Sequence, residues 1–133
     1  MIFFDTNVLV YATIDQDKEK MMLSQKLIAQ AIKDDTFFIS ALVLSEYIFI
    51  LSKLKIIHEQ DEKLILFSSL SQGSHNTDTV MDGYSLCKKI DFCKNINDMI
   101  HVKVAEEYCE KLVTFDSDFK KLQKYTELEI EIL

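Results

Sequence analysis

The chain has no proline and only two glycines, Gly73 and Gly83, among its 133 residues. Proline and glycine are the residues that most readily end or bend helices and strands, so this sequence permits long helices joined by short connections. A hydrophobic content of 48% is too high for a disordered chain, and the length suits one compact unit. We therefore expect a single helix-rich domain covering residues 1–133.

Hydrophobic periodicity predicts an alternation of strands and helices. Apolar runs predict strands at residues 2–4 with a continuation at 8–12, and then at 37–40, 112–115 and 129–133. Helices are predicted at residues 18–33, 41–54, 61–71, 79–90 and 98–110, with a short helical segment at 119–125. The helix at 41–54 is apolar nearly all round, which predicts a buried position. This order of elements predicts an α/β fold with a mostly parallel central sheet and helices on both faces.

Several residues are typical of helix ends. Asp15 and Asp17 are candidate N-caps of the helix at 18–33, and Asn97 is a candidate N-cap of the helix at 98–110. Gly73 is a candidate C-cap after the helix at 61–71. These signals predict short connections between the helices.

Neither a secretory signal nor a membrane-spanning segment is predicted. Asp5 interrupts the apolar start, and the longest apolar stretch, residues 37–51, contains Glu46 and is shorter than the roughly 20 residues that a spanning helix needs. The three cysteines, Cys87, Cys93 and Cys109, include no CxxC pair, which predicts reduced and partly buried thiols. We expect a cytoplasmic protein without membrane association.

The net charge of −7 and the absence of arginine are unusual for a protein that binds nucleic acid, since phosphate contacts normally use lysine or arginine. Five of the 22 acidic residues are candidates for one cluster, and without them 17 acids stand against 15 lysines, a balance of −2. The charge therefore neither excludes nor supports an RNA substrate. The five candidates are Asp5, Glu46, Asp98, Asp116 and Asp118.

Four of these acids follow the predicted strands or begin helices. Asp5 and Asp116 come directly after strands, Glu46 lies early in the helix that follows residues 37–40, and Asp98 lies at the start of its own helix. In an open parallel sheet, ligands bind just beyond the carboxyl ends of the strands, so the four carboxylates are expected to converge there. Taken alone, Asp5 could cap a turn, Asp98 could be an acid favoured by the helix dipole, and Asp116 could cap the short helix that follows it.

Crowded carboxylates repel one another, and a hard divalent cation relieves that repulsion. Mg²⁺ and Mn²⁺ prefer oxygen ligands, so either ion would suit the predicted cluster. Glu46 interrupts an otherwise apolar helix, and a buried carboxylate without a partner is costly. The pattern therefore predicts a divalent-metal site.

Four segments resemble the motifs of PIN domains. They are residues 4–12 (Phe-Asp-Thr-Asn-Val-Leu-Val-Tyr-Ala), 45–47 (Ser-Glu-Tyr), 97–105 (Asn-Asp-Met-Ile-His-Val-Lys-Val-Ala) and 112–119 (Leu-Val-Thr-Phe-Asp-Ser-Asp-Phe). They occur in the family's order, and the resemblance covers essentially the whole chain. Length and layout resemble VapC-type toxins most closely, which implies a three-layer α/β/α sandwich.

The resemblance also implies the roles of individual residues. Asp5, Glu46, Asp98 and Asp116 would form the acidic quartet. Asp5, Asp98 and Asp116 would hold the cation, and Glu46 would orient or deprotonate water. Asn7 and Thr114 would support the carboxylates. Asp118 would bind a second ion or a water, or cap a helix. His101 would face the site, or be a surface or half-buried histidine.

The family implies Mg²⁺- or Mn²⁺-dependent cleavage of RNA by the toxin of a type II toxin–antitoxin system, with an antitoxin protein and a homodimer as partners. Met21, Met22, Tyr47 and Ile50 would contact the antitoxin, or else pack in the core. Lysines at the rim would contact RNA, the candidates being Lys53, Lys55, Lys94, Lys103, Lys120 and Lys121. Two alternatives remain open: a PIN nuclease of RNA maturation or repair without an antitoxin, and an inactive PIN-like binding module.

Overall fold

The computed structural model describes residues 1–90 and 94–133. Within them, β1 (Ile2–Phe4), β2 (Phe37–Phe38), β3 (Lys111–Thr114) and β4 (Glu129–Ile132) form one sheet in the order β2-β1-β3-β4, with every pair parallel. The prediction of a mostly parallel sheet is confirmed. β4 lies at the edge, where Glu129 is exposed and Ile130, Glu131 and Ile132 are half-buried.

Helices make up most of the described chain. They are α1 (Thr6–Thr13), α2 (Lys18–Lys33), α3 (Ala41–Lys53), α4 (Asp61–Leu70), α5 (Thr77–Lys89) and α6 (Ile96–Tyr108), with short 3-10 turns at Ile57–Glu59, Ser117–Lys121 and Gln123–Tyr125. Among the described helices, none combines the length and the apolar composition needed to cross a bilayer.

Both faces of the sheet are covered. Phe3 and Phe4 are consecutive in β1 and therefore point to opposite faces, yet both are buried. On one face Phe3 contacts the ring of His101 in α6, with the ring centroids 5.5 Å apart. On the other, Phe37 stacks on Phe67 of α4 at 6.2 Å. This arrangement confirms the predicted α/β architecture.

The prediction that β1 continues through residues 8–12 is wrong, because these residues belong to α1. Asp5 has extended backbone angles and its carboxylate accepts a hydrogen bond from the backbone N–H of Thr6, so the strand ends there and a helix begins. Val8, Leu9 and Val10 are all buried, so the run lacks the polar positions by which a helix is recognised in a sequence. A short apolar run of this kind cannot be distinguished from a buried strand by periodicity.

Three other local predictions need correction. α3 is not buried all round, since Phe49 is 66% exposed. Gly73 has the left-handed φ of +71° but lies beyond the end of α4, whose C-cap is Ser71. The N-cap of α6 is Asn95, whose side chain accepts from the backbone N–H of Asn97 at 3.1 Å. In contrast, Asp17 caps α2 as predicted.

The prediction of three reduced cysteines is also wrong. Cys87 is disulfide-bonded, whereas Cys109 is a half-buried free thiol whose pKa burial raises to about 12. Cys93 lies outside the described residues. Sequence spacing alone does not show which thiols a fold brings together, which is why the prediction failed.

Candidate active site

An acidic cleft of about 730 Å³ opens at the carboxyl end of the strands, and it is lined by Asp5, Glu46, Asp98 and Asp116. Asp5 follows β1 and Asp116 follows β3, while Glu46 is on α3 and Asp98 is in the first turn of α6. The structure therefore brings together the four acids that the sequence placed at this edge.

Asp5 is buried and has several hydrogen-bond donors. Its Oδ1 accepts from the backbone N–H of Thr6 at 2.7 Å, and its Oδ2 accepts from Asn7 Nδ2 at 2.7 Å and from Thr114 Oγ1 at 2.6 Å. Burial raises the pKa of Asp5, although the charge of His101 and the bonds from Thr114 and Thr6 oppose that effect. Asp5 is thus both the N-cap of α1 and a member of the cleft.

Asn7 and Thr114 connect Asp5 to the segment that carries Asp116. Asn7 Nδ2 also donates to Thr114 Oγ1 at 2.9 Å, and Asn7 Oδ1 accepts from the backbone N–H of Phe115 at 3.0 Å. The backbone N–H of Asp116 donates to Thr114 Oγ1 at 3.0 Å. These contacts hold the ends of β1 and β3 in register at the cleft.

Glu46 receives three donors. Thr6 Oγ1 donates to Glu46 Oε2 at 2.5 Å, His101 Nε2 lies 2.8 Å from the same oxygen, and Asn97 Nδ2 donates to Oε1 at 2.7 Å. Burial raises the pKa of Glu46, but the bond and charge of His101, together with the bonds from Thr6 and Asn97, outweigh it and place the pKa below its usual range. Glu46 is therefore a well-satisfied carboxylate.

His101 is completely buried, so the expectation of a surface or half-buried histidine is wrong. Burial lowers the pKa of His101, but the hydrogen bond to Glu46 and the negative charges of Asp5, Glu46 and Asp98 raise it above its ordinary value. The imidazole lies behind the acidic residues, and their negative charges favour its protonated form.

Asp98 has a different environment. Its side chain accepts a long hydrogen bond from Asn95 Nδ2, at 3.4 Å. Burial and the nearby charges of Asp5, Asp116 and Glu46 raise the pKa of Asp98 to about 7, although His101 opposes them. This part of the acidic cleft is electrostatically crowded.

The residues of the acidic cleft fit a hard divalent cation by their chemistry. They offer carboxylate oxygens, which Mg²⁺ and Mn²⁺ prefer, and the raised pKa of Asp98 reflects a concentration of negative charge that a cation would relieve. Within residues 1–90 and 94–133, no group of three or more acidic, histidine or cysteine side chains is already arranged to chelate an ion.

Asp118 lies outside the lining of the acidic cleft. It lines a small adjoining depression with Asp98, Lys94 and Lys121, and Lys94 Nζ is 3.5 Å from its carboxylate. Of the lysines considered for RNA contact, Lys103 pairs with Glu106 at 2.8 Å. In the described part of the chain, no lysine lines the acidic cleft itself.

Lys20 stands beside the rim of the cleft and was not among the lysines proposed from the sequence. Its ammonium lies 3.4 Å from the hydroxyl of Tyr11, 4.7 Å from the centroid of that ring and 5.1 Å from the centroid of Phe115. Tyr11 lines the cleft and packs edge-to-face on Phe115. An aromatic pair with an adjacent cation thus flanks the carboxylates.

A larger cavity, of about 830 Å³, lies elsewhere and is lined by Cys109, Glu110 and Tyr125 among others. Glu110 is fully exposed and bonds the N-terminal amine, which lowers its pKa. This cavity lacks the buried carboxylates of the acidic cleft, so size alone does not identify the site.

Sequence reasoning missed the residues that surround Glu46: Thr6, Asn97 and the buried His101. A signal existed in the spacing, because positions 97 and 101 are one helical turn apart and share a face of α6. A histidine among the apolar residues Met99, Ile100 and Val102 indicates a buried polar partner. That the partner is Glu46 required the fold.

A model of the PIN domain family matches residues 2–125. The fold is similar to that in the crystal structure of VapBC2 from Rickettsia felis bound to a DNA fragment from their promoter, with a TM-score of 0.73, 24% identity and coverage of 99% of this chain and 98% of that chain. It is also similar to the crystal structure of FitAcB from Neisseria gonorrhoeae, with a TM-score of 0.66, 19% identity and coverage of 98% and 96%. At these identities the likeness establishes the fold alone. No curated protein matches the sequence significantly.

Proposed function

Because the chain belongs to the PIN domain family, we propose that it is a Mg²⁺- or Mn²⁺-dependent endoribonuclease and the toxin of a type II toxin–antitoxin pair. The observation that carries the proposal is the meeting of Asp5, Glu46, Asp98 and Asp116 in one cleft at the carboxyl end of a parallel sheet. The proposal treats residues 1–133 as one nuclease domain.

Asp5, Asp98 and Asp116 would hold the cation. When bound, a divalent cation lowers the pKa of water and neutralises charge that builds on phosphate oxygens. Asp5 is fixed by Thr6, Asn7 and Thr114, so it provides a rigid anchor. Asp98 is less constrained and supplies the charge that most needs neutralisation.

Glu46 would orient the attacking water. The water oxygen forms a bond to phosphorus while the bond to the 3′-oxygen breaks, which leaves a 5′-phosphate on one product and a 3′-hydroxyl on the other. The leaving oxygen takes one proton and solvent takes the second. Because the pKa of Glu46 is held below its usual range, this carboxylate acts as an acceptor in this step.

Tyr11, Phe115 and Lys20 would contact the RNA beside the carboxylates. Exposed aromatic faces stack on bases without sequence preference, and an ammonium group binds phosphate. In a chain without arginine, Lys20 is a cation held next to the cleft by contacts with both rings. These contacts support a single-stranded or looped RNA substrate.

An antitoxin protein and a second copy of the chain are the proposed partners. The similar chains come from the VapBC2 and FitAcB structures, and this analogy is the first support. The second is Phe49, which lines the cleft and is 66% exposed. Met22 is also exposed, whereas Tyr47 is buried against Thr13 and packs in the core.

The enzyme proposal is tested by incubating the full chain with a structured RNA in Mg²⁺ and then in excess chelator. We expect cleavage that stops in chelator and falls at least about 100-fold in Asp98→Asn. Asp82→Asn, at an exposed position of α5, is the matched control and should cleave normally. Undiminished cleavage by Asp98→Asn, or in chelator, would rule out the proposed chemistry.

Toxicity is tested separately by induced expression in a bacterial host. Growth should stop with the wild type and continue with Asp98→Asn at equal protein level. Asp98→Asn is preferable to Asp5→Asn, since Asp5 also caps α1. RNA cleavage in vitro without growth arrest would favour the alternative of a maturation or repair nuclease that acts without an antitoxin.

A further inference from the structure

Asn97 and His101 contact the two different oxygens of Glu46 from the same face of α6. Asn97 Nδ2 donates to Oε1 at 2.7 Å, and His101 Nε2 lies 2.8 Å from Oε2. Residues four apart on a helix are neighbours on its surface, so the two side chains form a fork around the carboxylate. Thr6, the first residue of α1, adds a second contact to Oε2.

These contacts leave little freedom for the Glu46 carboxylate. A carboxylate offers about four acceptor sites, two on each oxygen. Thr6 and His101 occupy the two sites of Oε2, and Asn97 occupies one of Oε1. The remaining site is on Oε1, and Glu46 lines the acidic cleft.

The surroundings of His101 indicate that its bond to Glu46 is the reason for a histidine here. The ring is completely buried and packs against Phe3, with the centroids 5.5 Å apart. Its Nδ1 is buried without a hydrogen-bond partner among the described residues. An apolar side chain would fill the space without leaving a polar atom unsatisfied. The buried imidazole is therefore less favourable for stability than an apolar side chain would be. Its contact with Glu46 is the feature that accounts for a histidine at this position.

We propose that Asn97 and His101 are positioning residues for Glu46, which they hold in one orientation with a single acceptor site free for the attacking water. The inference rests on the proposed nuclease function, and it assigns to these two residues an action through Glu46 and not on the RNA. Glu46 is thereby an orienting acceptor whose direction is set by α6, the helix that also carries Asp98.

The charges around the pair agree with this geometry. The imidazole faces Glu46 on α3, Asp5 at the end of β1 and Asp98 one turn earlier on α6, and these charges raise the pKa of His101 against the effect of burial. The pKa of Glu46 is lowered in turn. Both shifts favour the charged forms of the two partners, whose Nε2 and Oε2 atoms are 2.8 Å apart.

The first experiment tests the pair without any RNA. The imidazole nitrogens of His101 are followed by NMR across pH in the full chain, in the wild type and in Glu46→Gln. We expect the titration midpoint of His101 to move to clearly lower pH in Glu46→Gln, because burial then outweighs the remaining charges. An unchanged midpoint would overturn the pairing of His101 with Glu46.

The second experiment asks whether the fork acts through Glu46. Asn97→Ala is expected to lower kcat by about 10-fold with little change in KM, since one lost orienting bond affects the step more than RNA binding. His101→Leu should do the same, and His101→Gln, which keeps a donor at similar reach, should restore part of the loss. Asn97 is half-buried at the cleft, so its variant keeps the test valid even if His101→Leu does not fold.

The decisive comparison repeats these substitutions in a Glu46→Gln background. Positioning residues should have almost no further effect there, because the group they orient is gone. An equal loss of kcat in both backgrounds would overturn the proposal. If the wild type cleaves no RNA at all, the proposed nuclease function fails with the catalytic part of this inference, while the NMR experiment still decides the pairing of His101 with Glu46.

Discussion

The acidic cleft has two halves, and the partly buried carboxylates in them have different surroundings. On one side, Glu46 receives bonds from Thr6, Asn97 and His101, and its pKa is lowered despite burial. On the other, Asp98 has one long bond from Asn95, and its pKa is raised to about 7. Both are partly buried carboxylates of one cleft, so the difference comes from their immediate partners.

The Glu46 side and the Asp98 side therefore have different tasks, although all four residues are carboxylates. The protein itself stabilises the Glu46 carboxylate with His101 and with the neutral donors Thr6 and Asn97. The Asp98 side keeps unrelieved repulsion with Asp5 and Asp116, which makes it the side that attracts an external cation. Four predictions test this difference between the two halves of the cleft.

The first prediction separates the halves by their response to a cation. Mn²⁺ at about 100 times its Kd should stabilise the wild type by about 2.7 kcal/mol, because it binds the folded state alone. Glu46→Gln should keep most of this rise in Tm, measured by thermal denaturation, and Asp98→Asn should lose it. A rise lost equally in both variants would mean that the cleft acts as one undivided acidic cluster.

The second prediction concerns pH and the metal-free protein. The pKa of Asp98 is about 7 in the folded state and near 3.8 in the unfolded chain, so the wild type loses stability as pH rises from about 4 to about 7. Asp98→Asn should therefore unfold with a free energy roughly 1–3 kcal/mol higher at pH 8, a range that allows for solvent screening. Urea denaturation should show that this gain disappears near pH 4. Asp82→Asn provides the control, and a gain independent of pH would contradict the assignment.

The third prediction weakens the satisfied half. Thr6→Val is nearly isosteric but removes the donor to Glu46 Oε2, so the free energy of unfolding at neutral pH should fall by about 1–2 kcal/mol. Thr6→Ser keeps the hydroxyl and is the matched control, with a smaller loss in chemical denaturation. A loss in Thr6→Ser without a loss in Thr6→Val would show that the methyl group of Thr6, and not its hydroxyl, carries the stabilisation.

The fourth prediction tests the rim, where Lys20 compensates for an acidic cleft. Lys20→Gln should weaken RNA binding a few-fold and reduce the slope of log affinity against log salt by about 1. Lys103→Gln is the control, since Lys103 pairs with Glu106 and is not part of the cleft lining. Fluorescence anisotropy with a catalytically impaired variant measures both the RNA affinity and its dependence on salt. Identical slopes of log affinity against log salt for the two variants would show that Lys20 does not contact the RNA.

The positions of Asp5 and Asp116 could be predicted from the sequence because each follows a strand directly. Apolar runs at 2–4 and 112–115 end in polar residues, and the carboxyl ends of parallel strands share one edge. The helices α2 and α4 were predicted nearly to the residue, and for α2 the capping residue Asp17 was a local signal. Glu46 and Asp98 were expected at the same edge because each lies early in a predicted helix, and the resemblance to the family's motifs agreed with this.

The contacts within the cleft could not be predicted in the same way. α1 resembled a strand because Val8, Leu9 and Val10 form an uninterrupted apolar run, and α3 resembled a buried helix although Phe49 is exposed. Asn97 looked like a helix cap but bonds Glu46, which is 51 positions away in the chain. Such partners are determined by how the helices pack against each other. The pattern of neighbouring residues in the sequence does not show this packing.

The sequence by itself determined which residue types are available and where strands end, because backbone sterics, capping and hydrophobic periodicity act over a few residues. The tertiary structure decided which carboxylate gains stabilising partners and which faces the repulsion of other acids, because electrostatic interactions depend on distances between side chains from separate elements. Glu46 is the single acid of α3, and Asp98 is one of three acids in α6. Only the approach of α6 to α3 gave one of them a histidine and left the other with its acidic neighbours.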